Sequence, residues 1–559
     1  MNGLLQKLRT FLAVSAVACF AAMPLGAQQS AEPGQIERQI EQSKPILRPA
    51  DTEIRLLPEQ PVRPAEPTDA RFVLAAVIID GATIFDPVSF APYYEDLLAR
   101  NITLADVENI LAQITKKYRD EGYILSRAIA PPQDLASGVV RITVIEGYVD
   151  DVVYEGKDIP QDAIDIYARR ITAERPLRLK TLERSVLLIN NTAGLRVEPR
   201  LRAIDPDSGR YAVVLRTSYK PVDGYTFVDN RGTPSVGRSQ GWASVGLNGL
   251  LGWRERFQFG MFTVPTQPSE LMYLEGTYTQ ALGDNGLSYA VQLSQTEVDP
   301  GSEQNILGTE SHASRAQFRL RYPLILASKQ NLWLTGTFDY HDSVQTAFEQ
   351  NTSDDRLRVL RADLEYMLVH DNGTTSATFQ ASQGLNILDA TEEGSRNLSR
   401  ADGKSDFTKL NANIARQQNL FGNFGMQAQV GGQWSAQSLL SGEEVGLGGT
   451  QYGRAYDFSE VTGDKALAGS LELNYSANTG WKWVSGYQVY TFYDLGSVWN
   501  ATAGVGTLRE SISSTGAGVR LVAAGNIRFN LEVAVPLTRP VATRDSTGTR
   551  AFFNLTAIF

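Results

Sequence analysis

The chain is poor in cysteine and histidine, and it carries no long hydrophobic run beyond its first residues. Among 559 residues it has one cysteine, Cys19, and three histidines. This composition excludes a disulfide scaffold and a cysteine-rich metal site. Because no later window holds about 20 uncharged apolar residues, the sequence predicts no transmembrane helix. If the mature chain spans a membrane, it must do so as a closed β-barrel.

The chain also has fewer basic than acidic residues, with a formal net charge of −10 and an isoelectric point of about 5.1. An acidic chain argues against a general nucleic-acid binder. The composition is otherwise that of a folded protein, with 42% hydrophobic and 20% charged residues. The length favours about three or four domains.

Sequence motifs for catalysis or nucleotide binding occur only in contexts that do not support them. Residues 237–241 match the G-x-S-x-G nucleophile motif, but they lie between two predicted strands, whereas that motif needs a strand followed by a helix. Residues 403–405 resemble the end of a phosphate-binding loop, but that motif needs a glycine five positions earlier, where this chain has Leu398. The histidines have no metal-ligand spacing and are His312, His341 and His370. We therefore expect no catalytic residue, no metal, no cofactor, no nucleotide and no nucleic-acid partner.

The first 27 residues are typical of a secretion signal. Lys7 and Arg9 precede an apolar stretch, residues 11–23, that is too short to anchor stably in a bilayer. We expect a signal peptide over 1–27, read by the Sec translocon and cleaved after Ala27. The alternative is a lipid-modified Cys19, but the residues before it fit a lipoprotein cleavage box poorly.

Residues 28–69 form an N-terminal segment in two parts. Residues 28–44 contain the polar sequence Pro-Gly-Gln-Ile-Glu-Arg-Gln and predict a short helix. Such a helix is marginal in water and needs a docking surface. Residues 45–69 contain six prolines, which is typical of an extended linker.

Residues 70–221 have the pattern of two small α/β modules, 70–147 and 148–221. Thr103 and Asp106 have capping-box spacing, and apolar residues then recur at helical spacing, which predicts a helix. A second helix is predicted at 181–190. The predicted strands are short apolar runs at 72–79, 124–129, 139–145, 149–154 and 211–216.

From residue 222 to residue 559 the pattern changes to period two, with apolar and aromatic side chains alternating with polar or charged ones. A soluble β-sandwich alternates in the same way, so alternation alone leaves both folds open. Three features favour an outer-membrane barrel: the length without helical periodicity, the aromatic residues near strand ends, and the aromatic last residue, Phe559. At about 20 residues per strand and turn, the segment holds roughly sixteen strands. A barrel of that size leaves an aqueous lumen for the charged face.

The order of these segments resembles the two-partner secretion transporters (TpsB class; the ShlB/FhaC/HecB haemolysin secretion/activation family, BamA superfamily). The resemblance covers essentially the whole mature chain. Within the first module, residues 118–123, 131–133 and 144–147 resemble the first periplasmic POTRA domain, and residues 228–232 resemble the opening of the barrel. The resemblance implies a mainly β fold, with a 16-stranded antiparallel transmembrane β-barrel preceded by two periplasmic α/β POTRA domains and a short N-terminal plug helix.

One motif of the barrel segment resembles a family loop that folds back into the lumen, here about residues 438–462. The family pattern is Val-Arg-Gly-Tyr/Phe, and the matching residues are Gly453, Arg454, Ala455, Tyr456 and Asp457. Two positions depart from the pattern: Gly453 stands where the family has valine, and Ala455 stands where it has glycine. If Ala455 had to adopt a positive φ, the loop tip would differ from the family or be strained.

A second motif, Phe-x-Asp-x-Gly, matches Phe492, Asp494 and Gly496. In the family the loop arginine pairs with this aspartate, which carries over to Arg454 and Asp494. The residues themselves place Asp494 on the polar, lumen-facing side of its strand, where an arginine would be a bidentate partner. Considered without the family, the residues favour the alternative, in which Asp494 only solvates a water-filled pore and Arg454 lies on an exposed loop.

The resemblance implies that the protein exports a large unfolded partner exoprotein, haemolysin- or adhesin-like, across the outer membrane of a Gram-negative bacterium. The POTRA domains would capture the partner in the periplasm, and the N-terminal helix would plug the pore at rest. The linker would let the helix leave, because about 25 residues at about 3 Å each span roughly 75 Å. Further implied partners are outer-membrane lipid and the barrel assembly machinery, for which Phe559 would be the C-terminal assembly signal.

Two other functions remain open. A BamA-like assembly factor usually carries more POTRA domains than the segment before this barrel can hold. A passive porin or receptor would not need two periplasmic modules and the Arg454 loop. An enzyme is the least supported class, because no catalytic constellation is present.

Overall fold

A computed structural model describes residues 32–44, 71–157, 159–301, 308–501, 508–523 and 526–559. The predicted signal peptide, 1–27, and the proline-rich segment, 45–69, lie outside the described residues. The N-terminal helix, α1, spans Pro33–Ser43. No helix in these ranges is long and apolar enough to cross a membrane.

The first module is a small sheet covered by one long helix. Its elements are β1 (Arg71–Val73), β2 (Ala76–Asp80), β3 (Asn101–Thr103), α2 (Leu104–Asp120), β4 (Arg127–Ile129) and β5 (Val139–Ile145). The main sheet has the order β2-β5-β4, and β1 pairs separately with β3. The predicted helix start is confirmed: Thr103 N donates to Asp106 Oδ2 at 2.8 Å, and Asp106 N donates to the Thr103 hydroxyl. The hydrogen bonds that the amide and the hydroxyl of Thr103 donate to the Asp106 carboxylate hold its pKa below its usual value.

The strand predicted at 72–79 is wrong, because the chain is divided there into β1 and β2. Leu74 turns the chain between them, and its amide and carbonyl bond to Arg100 and Ala99 instead of continuing a ladder. The strand predicted at 124–129 is shorter, because Ser126 N donates to Tyr123 O in a turn. Period-two patterning does not show where a strand changes its partner.

Two of the segments that resemble a POTRA domain meet in this module. Tyr118, at the end of α2, donates to Glu146 at 2.8 Å, and the amides of Thr83 and Ile84 donate to the same carboxylate. Burial raises the pKa of Glu146, but these hydrogen bonds outweigh it and leave the pKa below its usual value. The segments therefore carry a structural contact that ties the end of the helix to the residues that follow β2 and β5.

The second module has two helices on one face of a three-stranded sheet. Its elements are β6 (Tyr148–Glu155), α3 (Gln161–Ala173), α4 (Leu179–Asn190), β7 (Leu195–Asp205) and β8 (Arg210–Tyr219), with the sheet order β6-β8-β7. The sequence analysis missed α3 and β7. Ile164, Tyr167 and Ile171 gave a usable helical signal for α3. Pro199 argues against an inner strand, but β7 is an edge strand, where proline is tolerated.

Sixteen strands of the described residues form one closed barrel, which confirms the predicted fold class. They are β9 (Val222–Asp229), β10 (Gln240–Asn248), β11 (Glu255–Thr263), β12 (Leu271–Leu282), β13 (Leu287–Val298), β14 (Glu310–Leu326), β15 (Gln330–Ala347), β16 (Gln350–His370), β17 (Gly373–Gly384), β18 (Thr408–Asn419), β19 (Phe424–Ser435), β22 (Lys465–Asn478), β23 (Val484–Trp499), β24 (Arg509–Ala523), β25 (Ile527–Pro536) and β26 (Arg550–Ile558). Neighbours are antiparallel, and β26 closes on β9 between Ile558–Tyr225 and Asn554–Asp229.

The wall of the barrel has the predicted two faces. In β23 the side chains of Val489, Tyr493 and Leu495 are exposed on the outside, whereas Phe492 and Asp494 are buried inside. An apolar exterior around a polar interior is the arrangement that a membrane requires.

The second module is fastened to one mouth of the barrel, here called the proximal end. Arg170 pairs with Asp284 at 2.7 Å, and Arg184 donates to the carbonyl of Asn285 at 2.9 Å. Leu326, from another proximal turn, packs into the hydrophobic core of the module. Several barrel turns hold the module, so the connection is more than a single covalent link.

Candidate functional site in the barrel lumen

Two segments lie inside the barrel: helix α1 and the segment between β19 and β22, here called the lumen loop (residues 436–464). The lumen loop contains a short hairpin of β20 (Val445–Leu447) and β21 (Val461–Gly463). The contact between the lumen loop and the barrel wall joins the two motifs predicted from the sequence. The loop motif lies on the lumen loop, and the strand motif lies on the wall.

The structure brings Arg454 and Asp494 together in a bidentate pair. Arg454 Nε donates to Asp494 Oδ2 at 3.1 Å, and Nη2 donates to Oδ1 at 3.0 Å. The backbone amide of Arg454 donates to Oδ2 as well, at 2.9 Å. Ser470 donates to Oδ1 at 2.8 Å, so the fully buried carboxylate is well satisfied. A buried charge pair is tolerable only when its hydrogen bonds are complete in this way.

The same arginine has two further partners on the wall. Its Nη1 lies 2.8 Å from Glu472 Oε2, and Arg520 pairs with the other oxygen of Glu472 at 2.6 Å. The guanidinium carbon lies 3.5 Å from the ring centroid of Phe492, which is cation–π contact. Two arginines thus face two carboxylates, and each lies over an aromatic ring, Arg454 over Phe492 and Arg520 over Tyr490. The aromatic position of the strand motif is the surface on which the arginine rests.

The glycine of the strand motif leaves room for the loop hairpin. A methyl group at Gly496 would lie 2.7 Å from Leu447 Cδ1 and 3.0 Å from Ala468 Cβ, closer than van der Waals contact. A larger residue here would force the Leu447 side chain to shift.

The tip of the loop adopts its tight turn at Gly453 and not at Ala455. Gly453 has φ +77°, and a methyl group there would lie 2.4 Å from Ile512 Cδ1. Ala455 has no positive φ, so alanine fits this position without backbone strain. Its carbonyl accepts a hydrogen bond from Arg550 Nη1 at 2.9 Å.

The last two motif residues also contact the wall. The Tyr456 hydroxyl accepts from the amides of Thr538 and Arg539, at 3.3 Å each. Asp457 pairs with Arg550 at 2.6 Å. All five residues of the loop motif therefore touch the wall between β23 and β26 or the segment before β26.

Helix α1 docks directly on the lumen loop. Gln35 Nε2 donates to Ser441 O at 3.1 Å, and the Ser459 hydroxyl donates to Gln35 Oε1 at 2.6 Å. Arg38 donates to the carbonyls of Ser441 and Gly442. The backbones are close enough that a methyl group at Gly34 would lie 2.8 Å from Gly442 Cα. Helix and loop form one unit inside the lumen.

The helix also makes polar contacts with the barrel wall. Glu37 accepts from Thr296 at 2.9 Å and lies 3.1 Å from Arg315. At the other end, Lys44 lies 2.8 Å from Glu275 and over the ring of Trp242. These wall residues lie toward the ends of their strands that are away from the modules. The helix therefore occupies the distal half of the lumen.

A chain of charges connects the helix to the loop through the wall. Arg315, which holds Glu37, also holds Asp339 at 2.5 Å, and Asp339 lies 3.1 Å from Arg361. Arg361 in turn pairs with Glu443 of the lumen loop at 2.6 Å. The sequence analysis did not find these residues. Period two can place a strand residue on the inner face, but it does not show where a helix residue such as Glu37 or a loop residue such as Glu443 meets that face.

Between the residues that the structure describes, a cavity of about 770 Å³ is lined by α1, the lumen loop and the inner faces of strands between β12 and β22. Its wall carries charged and amide side chains, including Arg319, Arg321, Asp363 and Asn413. Among the described residues, the helix and the loop therefore narrow the path along the barrel axis, whereas the side chains of the wall leave it open.

The last predicted residue, Phe559, lies at the closing seam. Its backbone exchanges hydrogen bonds with Gly224, with N–O distances of 3.0 and 3.2 Å. Its side chain is exposed on the outside of the barrel. Residues 237–239 lie in the connection between β9 and β10, and residues 240 and 241 begin β10. In the part of the chain that the structure describes, no group of three or more His, Cys, Asp or Glu side chains could hold a metal ion.

Comparison with known sequences decides the family. A profile described as haemolysin secretion/activation protein ShlB/FhaC/HecB matches residues 211–521, more than half of the chain. The chain belongs to this family. A profile of the ShlB-type POTRA domain matches residues 72–147, which is the first module. This ShlB/FhaC/HecB family member is a transporter of two-partner secretion, in which the barrel secretes a partner exoprotein.

Similar proteins agree with this assignment. The heme/hemopexin transporter protein HuxB of Haemophilus influenzae (strain 86-028NP) is 22% identical over 533 residues, 92% of each chain. The outer membrane transporter CdiB of Escherichia coli is 30% identical over 183 residues, 32% of this chain and 29% of CdiB. The solved structure of CdiB from Escherichia coli superposes with a TM-score of 0.71 at 19% identity, covering 96% of this chain and 98% of CdiB. At that identity the superposition shows a common fold.

Proposed function

We propose that this transporter lies in the outer membrane with both modules in the periplasm, and that it exports one large, unfolded, haemolysin- or adhesin-like exoprotein. The observation that carries the proposal is the occupied lumen, in which a helix from the N-terminus is docked on a loop held by a buried arginine. A passive pore needs no such helix. A lumen needs one if it must open for a polypeptide and stay closed at other times.

Helix α1 is the removable part of this arrangement. Its apolar contribution is small, because Ile36 and Ile40 are its buried aliphatic side chains. Burial of two such side chains stabilises docking by roughly 3–6 kcal/mol, before the cost of ordering the segment. The remaining contacts are hydrogen bonds and ion pairs, which water in the open lumen can replace. The helix leaves the lumen when a partner engages the modules.

The lumen loop is the part that stays. Arg454 is held by a bidentate carboxylate, a second carboxylate and an aromatic ring, all on the wall. Removal of one partner of a buried pair typically costs about 3–5 kcal/mol. The loop therefore remains on the wall between β23 and β26, and the exported chain passes through the other part of the lumen.

Periplasmic capture falls to the modules. The second module is fastened to the proximal mouth, so a chain bound there is delivered to the lumen entrance. No ATP is available in the periplasm, so the energy for export comes from binding and from folding of the exoprotein outside. Among the relatives, HuxB is a heme/hemopexin transporter protein and CdiB is an outer membrane transporter. We propose a protein cargo for this chain.

A comparison of strains tests the proposal. Culture supernatant, cell surface and outer membrane are compared by quantitative proteomics with and without this gene, and the deletion is complemented with wild type. We expect one very large exoprotein to disappear while other barrel proteins stay constant. Depletion of many barrel proteins would show an assembly factor instead. No change in any fraction while the gene is expressed would show a pore or receptor.

A further inference from the structure

Three neighbouring strands of the barrel, β17, β18 and β19, present an uncharged inner face. Their register places twelve residues toward the lumen in four level rows of three, here called the polar panel. From the proximal end upward, the rows are Thr374–Gln417–Gln427, Ser376–Ala415–Gln429, Thr378–Asn413–Gly431 and Gln380–Asn411–Gln433. Ten of the twelve carry an amide or a hydroxyl, and none is charged. At about 3.4 Å per residue, the panel is roughly 20 Å tall.

The register with β23 shows that this face points into the lumen. Ser470 of β22 lies opposite Asp494, which is buried inside the barrel, and Gln429 lies opposite Ser470. The alternate residues of the same strands, Ile414 and Val430, are exposed on the outside. The amides and hydroxyls of the panel therefore face the path along the barrel axis.

Charged residues begin on the strands at either side of the panel. On β16, Asp363 accepts a hydrogen bond from Gln380 at 2.6 Å, and Glu365 pairs with an arginine of β14 at 2.8 Å. On β22, Glu472 holds the two arginines described above. The panel is therefore an uncharged sector of the inner wall between two charged sectors.

The helix and the loop motif are fastened to the other sectors. The polar contacts of α1 with the wall lie on strands from β10 to β14, and the loop motif contacts strands from β22 to β26. The cavity of about 770 Å³ reaches the panel, where Thr378, Gln380, Asn413 and Gly431 line it. Ser376 and Thr378 are exposed although they point inward. Open space in the lumen therefore lies against the panel.

One amide of the panel already bonds to main chain in this structure. Gln433 Nε2 donates to the carbonyls of Glu443 and Asp464, at 3.3 and 3.2 Å, where the lumen loop passes over the top row. Next to it, Asn411 Oδ1 is buried and has no hydrogen-bond partner among the described residues. Because a side-chain amide both donates and accepts, the panel can serve both polar groups of a polypeptide backbone.

We propose that, once α1 has left, the exported polypeptide passes through the barrel against the polar panel, which bonds to its main chain and does not select its side chains by charge. The proposal rests on the export function proposed above and names the sector of the wall and its chemistry. An unfolded chain brings amides and carbonyls that need hydrogen-bond partners in a narrow lumen. Transport also requires contacts that are weak enough to be left again. A charged wall would retain segments of the opposite sign, whereas amides and hydroxyls retain neither.

Photo-cross-linking in cells locates the chain in transit. The exoprotein from the strain comparison is stalled by fusion to a domain that folds in the periplasm. Benzoylphenylalanine stands in place of Gln429 in the panel or, as the matched control, in place of Thr279, which lines the cavity from β12. We expect the stalled exoprotein to be captured several times more strongly at Gln429 than at Thr279.

A charge placed in the panel should make export selective. Wild type should release exoproteins with an inserted acidic run or an inserted basic run at similar rates in a pulse–chase experiment. Gln429→Lys should slow the acidic form by about five-fold relative to the basic form, which corresponds to about 1 kcal/mol and is expected for one charge pair in water. Gln429→Glu should show the reverse preference. The controls Thr279→Lys and Thr279→Glu should show no preference that depends on sign.

The outcomes that contradict the panel are distinct from those that contradict export. Equal or stronger capture at Thr279, no capture at either position, or a sign preference that is the same at both positions would overturn the proposal. Heat-modifiable mobility in gels shows that each variant barrel has folded, and the cross-linking result decides if a charged variant has not. Export that continues with capture away from the panel would leave the export function intact. A strain comparison in which no exoprotein is lost would instead refute that function.

Discussion

At the scale of single residues, the centre of the site is a guanidinium that is satisfied on every side. Arg454 holds Asp494 and Glu472, and its planar fork explains why the position is arginine and not lysine. The resemblance of the two motifs predicted that these residues meet. It did not predict Glu472, which carries no motif and is identified only by its place on β22, beside β23.

Removal of this arginine should free the lumen loop. We expect Arg454→Ala to lose about 3–5 kcal/mol of loop docking, because the buried carboxylate of Asp494 is left without its arginine and Glu472 keeps only Arg520. Hydrogen exchange of residues 445–463 should rise strongly, and export of the exoprotein should fall. Asp494→Asn in the same chain should restore part of the protection, because it removes the uncompensated charge. Unchanged exchange in Arg454→Ala would contradict the role of the arginine as anchor.

The tight turn of the loop offers a matched pair of glycines. Gly453 and Gly252 have nearly equal φ values, +77° and +78°, but only Gly453 faces a neighbour, Ile512. Both alanine substitutions strain the backbone by about 1–2 kcal/mol. Gly453→Ala must also displace Ile512, so we expect a clearly larger rise in hydrogen exchange of the loop and a larger loss of export than with Gly252→Ala. Equal effects of the two variants would show that the contact with Ile512 is unimportant.

At the scale of elements, the sequence shows local signals for helices and for the faces of strands, but it does not show which strands pair. The capping box fixed the start of α2, and period two separated the faces of the barrel strands. The split between β1 and β2 and the edge position of β7 depend on partners far away in sequence. Helix α1 was expected as a helix that needs a docking surface, and that surface comes from residues about 400 positions later.

The cap of α2 gives a prediction about stability and pH. Thr103→Ala should destabilise the helix by about 1 kcal/mol, seen as faster hydrogen exchange in its first turn. The pKa of Asp106 is lowered in the folded chain, so its stabilising contribution is present above its ordinary pKa and is lost as the pH falls through the lowered value. The difference between wild type and Thr103→Ala should therefore shrink in acid. A difference that grows in acid would contradict the assignment.

Docking of α1 has its own matched pair of glutamates. Glu37 is buried against Thr296 and Arg315, whereas Glu41 is exposed and pairs with Lys44 of its own segment. We expect Glu37→Ala to leave Arg315 with one carboxylate fewer and to loosen the helix. In planar lipid bilayers the fraction of time in the open state should rise well above wild type, while Glu41→Ala should stay close to it. An equal response of both variants would mean that Glu37 does not hold the helix.

At the scale of the whole molecule, the sequence predicted the barrel, its strand number and the order of the segments. The resemblance to a known family supplied the functional expectation, which the family match later confirmed. The connections inside the lumen were out of reach. Arg315, Asp339 and Arg361 lie on the consecutive strands β14, β15 and β16, but their partners Glu37 and Glu443 come from the N-terminal helix and from a distant loop. Only the folded barrel brings that helix and that loop to the same part of the wall.

The central claim is that the helix must leave the lumen for export to occur, and a reversible lock tests it most directly. The cysteine predicted to be removed with the signal peptide is the only one in the sequence, so Gln35→Cys/Ser459→Cys can be joined by a short, reducible bismaleimide. We predict that the locked protein releases none of the exoprotein identified in the strain comparison. Reduction of the linker should restore release, and each single-cysteine variant treated alike should export normally. Normal export by the locked protein would contradict the account.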